Sequence, residues 1–276
     1  VWEFIGWALP EHSAAGDKTI DYGPGDTDIF YEDVDLYGKW KLNMSSLKWH
    51  RDFAWAKGED NTSAPAPAGK GNISIIKIDG NNNVKMYGNG NNSGKGAAWL
   101  DWQYNDINIV SLSFKYNIDF GDSFNAAGIL FDVSDSKAND DHSGTLTGYM
   151  LSFNNSAAYG TCNNDGEMFR KEASGQDNAT LWKFTYVKGD NINNINKLEK
   201  IKTMNIDKKG SMTIQVTSDK YEINVNNGQF TTTLDNTGGN ATRNSLGFFT
   251  DHYPHNCERC GYFEISNFEL LAEEVE

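Results

Sequence analysis

Residues 211–234 read SMTIQVTSDKYEINVNNGQFTTTL. Met212, Ile214 and Val216 alternate with Thr213, Gln215 and Thr217; after Ser218-Asp219-Lys220, Tyr221, Ile223 and Val225 alternate with Glu222, Asn224 and Asn226. Successive side chains of a strand point to opposite faces, so this period of two predicts strands with one apolar and one polar face. Asn226-Asn227-Gly228 then turns the chain into Gln229–Leu234, because Asn-Gly steps tolerate positive φ. A chain that joins such strands through short polar turns, with no helical crossovers, has one economical solution: antiparallel sheets packed face to face.

The alternation recurs. DVDLYGKWKL (33–42), NISIIKID (72–79), INIVSLSFKYNI (107–118), AAGILFDVS (126–134), LTGYMLSFN (146–154), LWKFTYV (181–187) and KTMNI (202–206) read as strands, and SLGFFT (245–250) and GYFEISNFEL (261–270) close the chain. Asp79-Gly80, Asn89-Gly90 and Asp165-Gly166 punctuate them as turns. LKWHRDFAWAKGED (47–60) is the one stretch that suits a helix, yet Trp49, Arg51, Phe53 and Trp55 also keep a strand period. NTSAPAPAGKG (61–71) reads as a loop. A length of 276 residues suits one large sandwich over residues 1–276, with residues 1–105 as elaborating loops and strands.

The last strands, together with SLSFKYNIDFGDSFNAAGILFDVSD (111–135) and GYMLSFN (148–154), resemble the concanavalin A-like superfamily of lectins, glucanases, laminin-G-like and carbohydrate-binding modules. The likeness covers roughly half of the chain. It implies an all-β fold, an antiparallel β-sandwich of the concanavalin A-like jelly-roll type. That sandwich hosts many unrelated activities, so the resemblance speaks to fold more than to function. The asparagine-rich style is similar to that of surface proteins of low-GC bacteria, and the two likenesses together imply a cell-surface adhesin domain. In that setting the sequons at Asn43, Asn61, Asn72, Asn91, Asn154, Asn178 and Asn240 are idle; in a eukaryotic secreted chain they would be glycan acceptors.

Charge narrows the partners. With 24 Lys+Arg against 38 Asp+Glu the formal net charge is −14, which argues against nucleic acid and anionic membranes, since both require a basic patch. No apolar run approaches the roughly 18 residues needed to cross a bilayer. VWEFIGWALPEHS lacks the basic start and long apolar stretch of an intact signal peptide, so the chain is expected to be a mature or excised piece of a longer multidomain protein. Aromatic residues make up 13% of the chain, which suits strands. They suit sugars equally, because a pyranose presents a C–H face that packs on a flat ring.

Three groups of residues could carry chemistry. DHYPHNCERC (251–260) holds His252, His255, Cys257 and Cys260 in a compact spacing. Three readings stay open: a disulfide from Cys162 to Cys257 or Cys260, free buried thiols, or a tetrahedral zinc site. A bridge would group Tyr159 of AAYGTCNNDG with His252, Tyr253 and His255 around one ligand surface. DVSDSKANDDH (132–142) offers Asp132, Asp135, Asn139, Asp140 and Asp141, hard oxygens that suit calcium, although the spacing is not that of an EF-hand and a solvated loop is the plain alternative. DTDIFYEDVD (26–35), with Asp26, Asp28, Glu32, Asp33 and Asp35, reads in the same two ways. The third group is aromatic: Trp102 and Tyr104 on one face of AAWLDWQYND, and Trp182 and Tyr186 in LWKFTYV, are candidates for a sugar surface or for the core.

Catalytic patterns are missing. Glu32-Asp33-Val34-Asp35 does not match the Glu-x-Asp-x-x-Glu strand of the related glucanases, and no Gly-x-Ser-x-Gly or His-Glu-x-x-His motif occurs. The expectation is therefore an extracellular or cell-surface recognition module that binds carbohydrate without cleaving it, with calcium as the candidate cofactor. A glycoside hydrolase or polysaccharide lyase on the same fold, and a structural module that binds protein, are the alternatives.

Overall fold

A computed structural model of the chain describes residues 2–13, 19–47, 49–53, 74–79, 81–88, 94–100, 107–121, 124–137, 143–154, 178–187, 195–217, 220–235, 246–252 and 260–274. Strands are numbered in chain order. One seven-stranded antiparallel sheet runs β11 (Ile195–Met204), β10 (Ala179–Val187), β9 (Thr145–Asn154), β8 (Phe124–Asp135), β15 (Gly247–His252), β6 (Gly94–Leu100) and β3 (Trp49–Phe53). The other runs β14 (Phe230–Asp235), β13 (Lys220–Val225), β12 (Lys209–Val216), β7 (Ile107–Gly121), β16 (Cys260–Glu274), β5 (Val84–Gly88) and β4 (Ser74–Ile78). The chain crosses between the sheets at β3 to β4, at each step from β5 to β8, at β11 to β12, and at each step from β14 to β16. The last two strands insert beside β8 and β6 and beside β7 and β5. These are the antiparallel sheets packed face to face that the strand periods imply, in the jelly-roll arrangement that the resemblance implies. No helix among the described residues is long and apolar enough to cross a membrane.

The alternation read in 211–234 sets the register. Met212 faces Val225, Ile214 faces Ile223 and Val216 faces Tyr221, so all six apolar side chains lie on one face. Ile214, Ile223, Val225, Tyr116, Phe114 and Phe263 of one sheet meet Ile129, Leu151, Leu181, Phe153 and Phe248 of the other in a single core. Trp49 stacks on Phe248 at 5.7 Å, and Trp49 pairs with Leu100 as a strand residue. The ambiguous segment thus opens as strand β3, while residues 54–73 lie outside the described residues.

The first sheet is also apolar on its outer face. Trp99, Leu130, Met150, Trp182 and Phe249 each follow or precede a residue of the main core in sequence, so they point the opposite way. Together with Ala126, Val133, Leu146, Phe184 and Tyr186 they form a second apolar layer in which no side chain is more than 4% exposed.

Several boundaries differ from the periodic reading. β2 (Tyr37–Leu42) starts at Tyr37 rather than at residue 33, because the ladder with β1 ends at the pair of Ala8 with Tyr37. β11 begins at Ile195, upstream of the expected KTMNI. β1 (Trp2–Ala8) and β5 carry no clear period of two, yet both are paired strands. β1 pairs with β2 in a separate two-stranded sheet, and residues 49–100 supply two strands to each large sheet.

Candidate functional site

The residues singled out from sequence distribute widely. Trp182 is corrected: it is no ligand surface but a core residue, 1% exposed, whose Nε1 donates to Ser152 Oγ at 2.8 Å. Tyr186, on the same strand face, is likewise buried. Asp132 takes a left-handed backbone (φ 54°) at an irregularity between β8 and β9, and its carboxylate accepts from the Tyr221 hydroxyl at 3.0 Å. Asp135 accepts from Trp99 Nε1 at 3.2 Å and from the Lys137 amide at 2.9 Å. These two carboxylates therefore anchor core aromatics to the rim of the sandwich. Among the described residues no group of three or more His, Cys, Asp or Glu side chains is arranged to hold a metal. His252 ends β15 opposite Gly94, and Cys260 begins β16 opposite Gly121. Trp102, Tyr104, Asn139, Asp140, Asp141, Tyr159, Cys162, Tyr253, His255 and Cys257 lie outside the described residues.

The N-terminal sheet carries a feature that the periods do not mark. Nine large apolar side chains are exposed among the described residues, and eight of them fall between Trp7 and Trp40: Trp7, Ile20, Ile29, Phe30, Tyr31, Val34, Tyr37 and Trp40. Three of them, Trp7, Phe30 and Trp40, join Phe4 and Tyr22 in one connected row of rings. Phe4 and Trp40 are directly paired across β1 and β2, and Trp7 is paired with Gly38. On the other side of β1, Trp7 bridges Tyr22 in antiparallel fashion, through Trp7 N–H to Tyr22 O at 2.8 Å and the return bond at 3.1 Å. Residues directly opposite in antiparallel pairs share a face, so Trp40, Phe4, Trp7 and Tyr22 line one side of the hairpin.

The rings brace one another edge to face, Phe4 to Trp7 at 4.9 Å and Phe4 to Trp40 at 5.1 Å. Phe30 extends the row, edge-on to Tyr22 at 5.6 Å. Gly38 matters because it leaves a notch: a Cβ there would lie 3.1 Å from Trp40 Nε1, 3.7 Å from Trp7 Cζ3 and 3.8 Å from Phe4 Cε2. Trp7 and Trp40 stay 41% and 53% exposed, whereas Ala8, pointing the other way, is fully buried; Trp2, two residues before Phe4 on the ring face, packs against the main core. The ring face is thus seated against the sandwich at its Trp2 end and open at Trp7 and Trp40. Its signal in the sequence is WEFIGWA and YGKWKL, two aromatic-rich strands whose pairing no local pattern announces.

The segment that flanks this face is strongly acidic. Residues 19–36 contain Asp21, Asp26, Asp28, Glu32, Asp33 and Asp35 and no lysine or arginine. Asp21 fixes the segment, accepting from the Leu9 amide at 2.7 Å and contacting His12 Nδ1 at 3.0 Å. Asp26 caps the turn at Gly23 (2.7 Å). The Tyr22 hydroxyl is held above the usual tyrosine range, first by desolvation and then by its hydrogen bond to Asp28 and the charge there. Lys39 turns its ammonium onto the His12 carbonyl oxygen at 2.6 Å. Glu32, Asp33 and Asp35 are exposed.

Neither a family model nor a curated protein matches the sequence. Among solved structures, the chain is similar to the carbohydrate recognition domain of Emp47p, at 9% identity over 80% of this chain and 96% of that one (TM-score 0.38). It is similar to the metal-free carbohydrate recognition domain of Emp46p at 9% identity over 81% and 98% (TM-score 0.36), and to a single mutant of congerin II at 15% over 58% and 90% (TM-score 0.32). No residue role passes from those proteins to this chain.

Proposed function

We propose that this chain is an extracellular, non-catalytic recognition module that binds glycan, and that the open ring face of the N-terminal hairpin is its binding surface. The observation that carries this reading is the set Trp7, Trp40, Phe4 and Tyr22, held on one strand face with two tryptophans about half exposed. Aromatic surface of that extent is normally buried, and an exposed contiguous patch marks an interaction site. Carboxylates and a tyrosine hydroxyl lie alongside the rings. That mixture of flat apolar rings and oxygen acceptors matches a sugar, which offers axial C–H on one face and hydroxyls at its rim. The rings are braced by edge contacts and by paired strands, so little conformational entropy is lost on binding. A surface adhesin on a cell is the setting that this reading implies.

A glycan array probed with the wild-type chain and with a Trp7→Ala/Trp40→Ala variant tests it. The wild type should bind a restricted set of sugars, and the variant should lose that binding by about tenfold or more with an unchanged circular dichroism spectrum. Equal binding by the two removes the hairpin as the site. Release of shortened sugar on incubation with the best ligand makes the chain a glycosidase or lyase instead.

A further inference from the structure

We infer that the hairpin face is selective for amino-sugar polymers with free amines, such as oligomers of 2-amino-2-deoxyglucose, over their neutral N-acetylated counterparts and over anionic polysaccharides. The inference rests on the glycan reading above and adds the charge of the ligand. Three observations support it.

The first is the flanking charge. Six carboxylates and no lysine or arginine occur in residues 19–36, which contribute −6 of the formal −14. A uronate or sialylated chain would meet this field unfavourably, and an ammonium-bearing chain favourably. The second is position. The acidic segment is stitched to the ring face itself: Tyr22 is bonded to the Trp7 backbone, its ring meets Phe30, and its hydroxyl meets Asp28. A ligand lying across Trp40, Phe4, Trp7 and Tyr22 therefore reaches Phe30, which the exposed Glu32, Asp33 and Asp35 follow closely in sequence. The third is the rings themselves. Trp7 and Trp40 are both open to solvent, and exposed indole faces attract cations in their own right. A β-linked glucosamine chain satisfies both halves of the surface. Its equatorial substituents leave the sugar faces apolar for stacking, and each residue carries one ammonium at the edge.

The test is a calorimetric titration at mildly acidic pH with three oligomers of equal length: free-amine glucosamine, N-acetylated glucosamine and a polyuronate, with polylysine as a control. It is run with wild type, Trp40→Ala, and the triple variant Glu32→Gln/Asp33→Asn/Asp35→Asn, at about 20 mM and about 300 mM salt. The free-amine oligomer should bind the wild type about tenfold tighter than the N-acetylated one at low salt. That advantage should shrink at high salt and fall to about twofold in the triple variant, while Trp40→Ala weakens both sugars. Equal or tighter binding of the N-acetylated oligomer, or an advantage that survives in the triple variant, overturns the inference and leaves the glycan reading standing. Polylysine binding as tightly as the sugar, with Trp40→Ala without effect on either, shows charge alone at work and also overturns it. Absence of binding by every sugar tested removes the glycan reading and the inference with it.

Discussion

The sandwich and the N-terminal hairpin use the same residue types in opposite ways. In the sandwich, Trp99, Trp182, Tyr221, Phe248 and Phe263 are at most 1% exposed, and even the outward face of the first sheet is a closed apolar layer. In the hairpin, Trp7 and Trp40 are about half exposed while their strand neighbour Ala8 is fully buried. A ring in a strand is buried only if a second layer lies over its face. Rings on both faces of the first large sheet are buried, and Trp7 and Trp40 of the β1–β2 sheet are not. Aromatic richness therefore has two uses in this chain: most of it builds the core, and a small contiguous part is left open.

The largest expected difference is in stability. Phe263→Ala or Trp182→Ala should cost about 3 to 5 kcal/mol, from lost burial and a cavity and, for Trp182, the bond to Ser152. Trp7→Ala or Trp40→Ala should cost within about 1.5 kcal/mol, the scale of an edge-to-face ring contact. Urea unfolding of the four variants checks this, and a hairpin variant as damaging as Phe263→Ala would erase the distinction. Next is Asp132→Ala, which leaves the buried Tyr221 hydroxyl without that carboxylate and should cost about 1 to 3 kcal/mol. Asp132→Asn keeps an acceptor and tolerates the left-handed backbone, so its melting temperature should fall less.

An alkaline titration sharpens the same contrast. Tyr221 is pushed up from the usual tyrosine range, mainly by burial and then by the charge and hydrogen bond of Asp132; Tyr116 is raised by burial too. A raised folded pKa means the native state holds the phenol proton longer than the unfolded chain. The stability these groups contribute is complete below about pH 10 and lost above it, by up to about 1.4 kcal/mol per pH unit for each. Tyr221→Phe should flatten that limb in denaturant melts above about pH 10; an unchanged slope would mean that Tyr221 ionises as freely in the native state as in the unfolded one. The smallest effect is expected at the Lys85–Glu264 pair, 2.7 Å apart but 49% and 38% exposed. Lys85→Ala should shift stability by under about 1 kcal/mol and less at high salt, because solvent screens such pairs.

How far the sequence could be read follows from what a period of two contains. It states which residues share a strand face, so the apolar face of β12 and β13 was legible, while the pairing of Ile214 with Ile223 came from the structure. It does not state whether a face is covered. In β10, Trp182, Phe184 and Tyr186 alternate with Lys183 and Thr185, yet the apolar set lies on the outward face of the sheet and is buried there. Sequence also leaves distant partners unnamed. That Phe4 faces Trp40, 36 positions away, depends on a pairing that no turn motif sets. Composition cannot show, either, that two of the aspartates of 132–142 accept hydrogen bonds from aromatic side chains, Asp132 from a phenol and Asp135 from an indole.

Fluorine spectroscopy separates the two sets of rings most directly, since ligand should meet those of the hairpin and leave those of the sandwich alone. The chain has eight tryptophans, so fluorotryptophan labelling gives a spectrum with eight signals, assigned by single Trp→Phe substitutions. On titration with the free-amine glucosamine oligomer, the signals of Trp7 and Trp40 should shift in saturable fashion, and those of Trp99 and Trp182 should stay fixed. Saturable shifts at other tryptophans while Trp7 and Trp40 remain unmoved would contradict the assignment of the hairpin as the binding face.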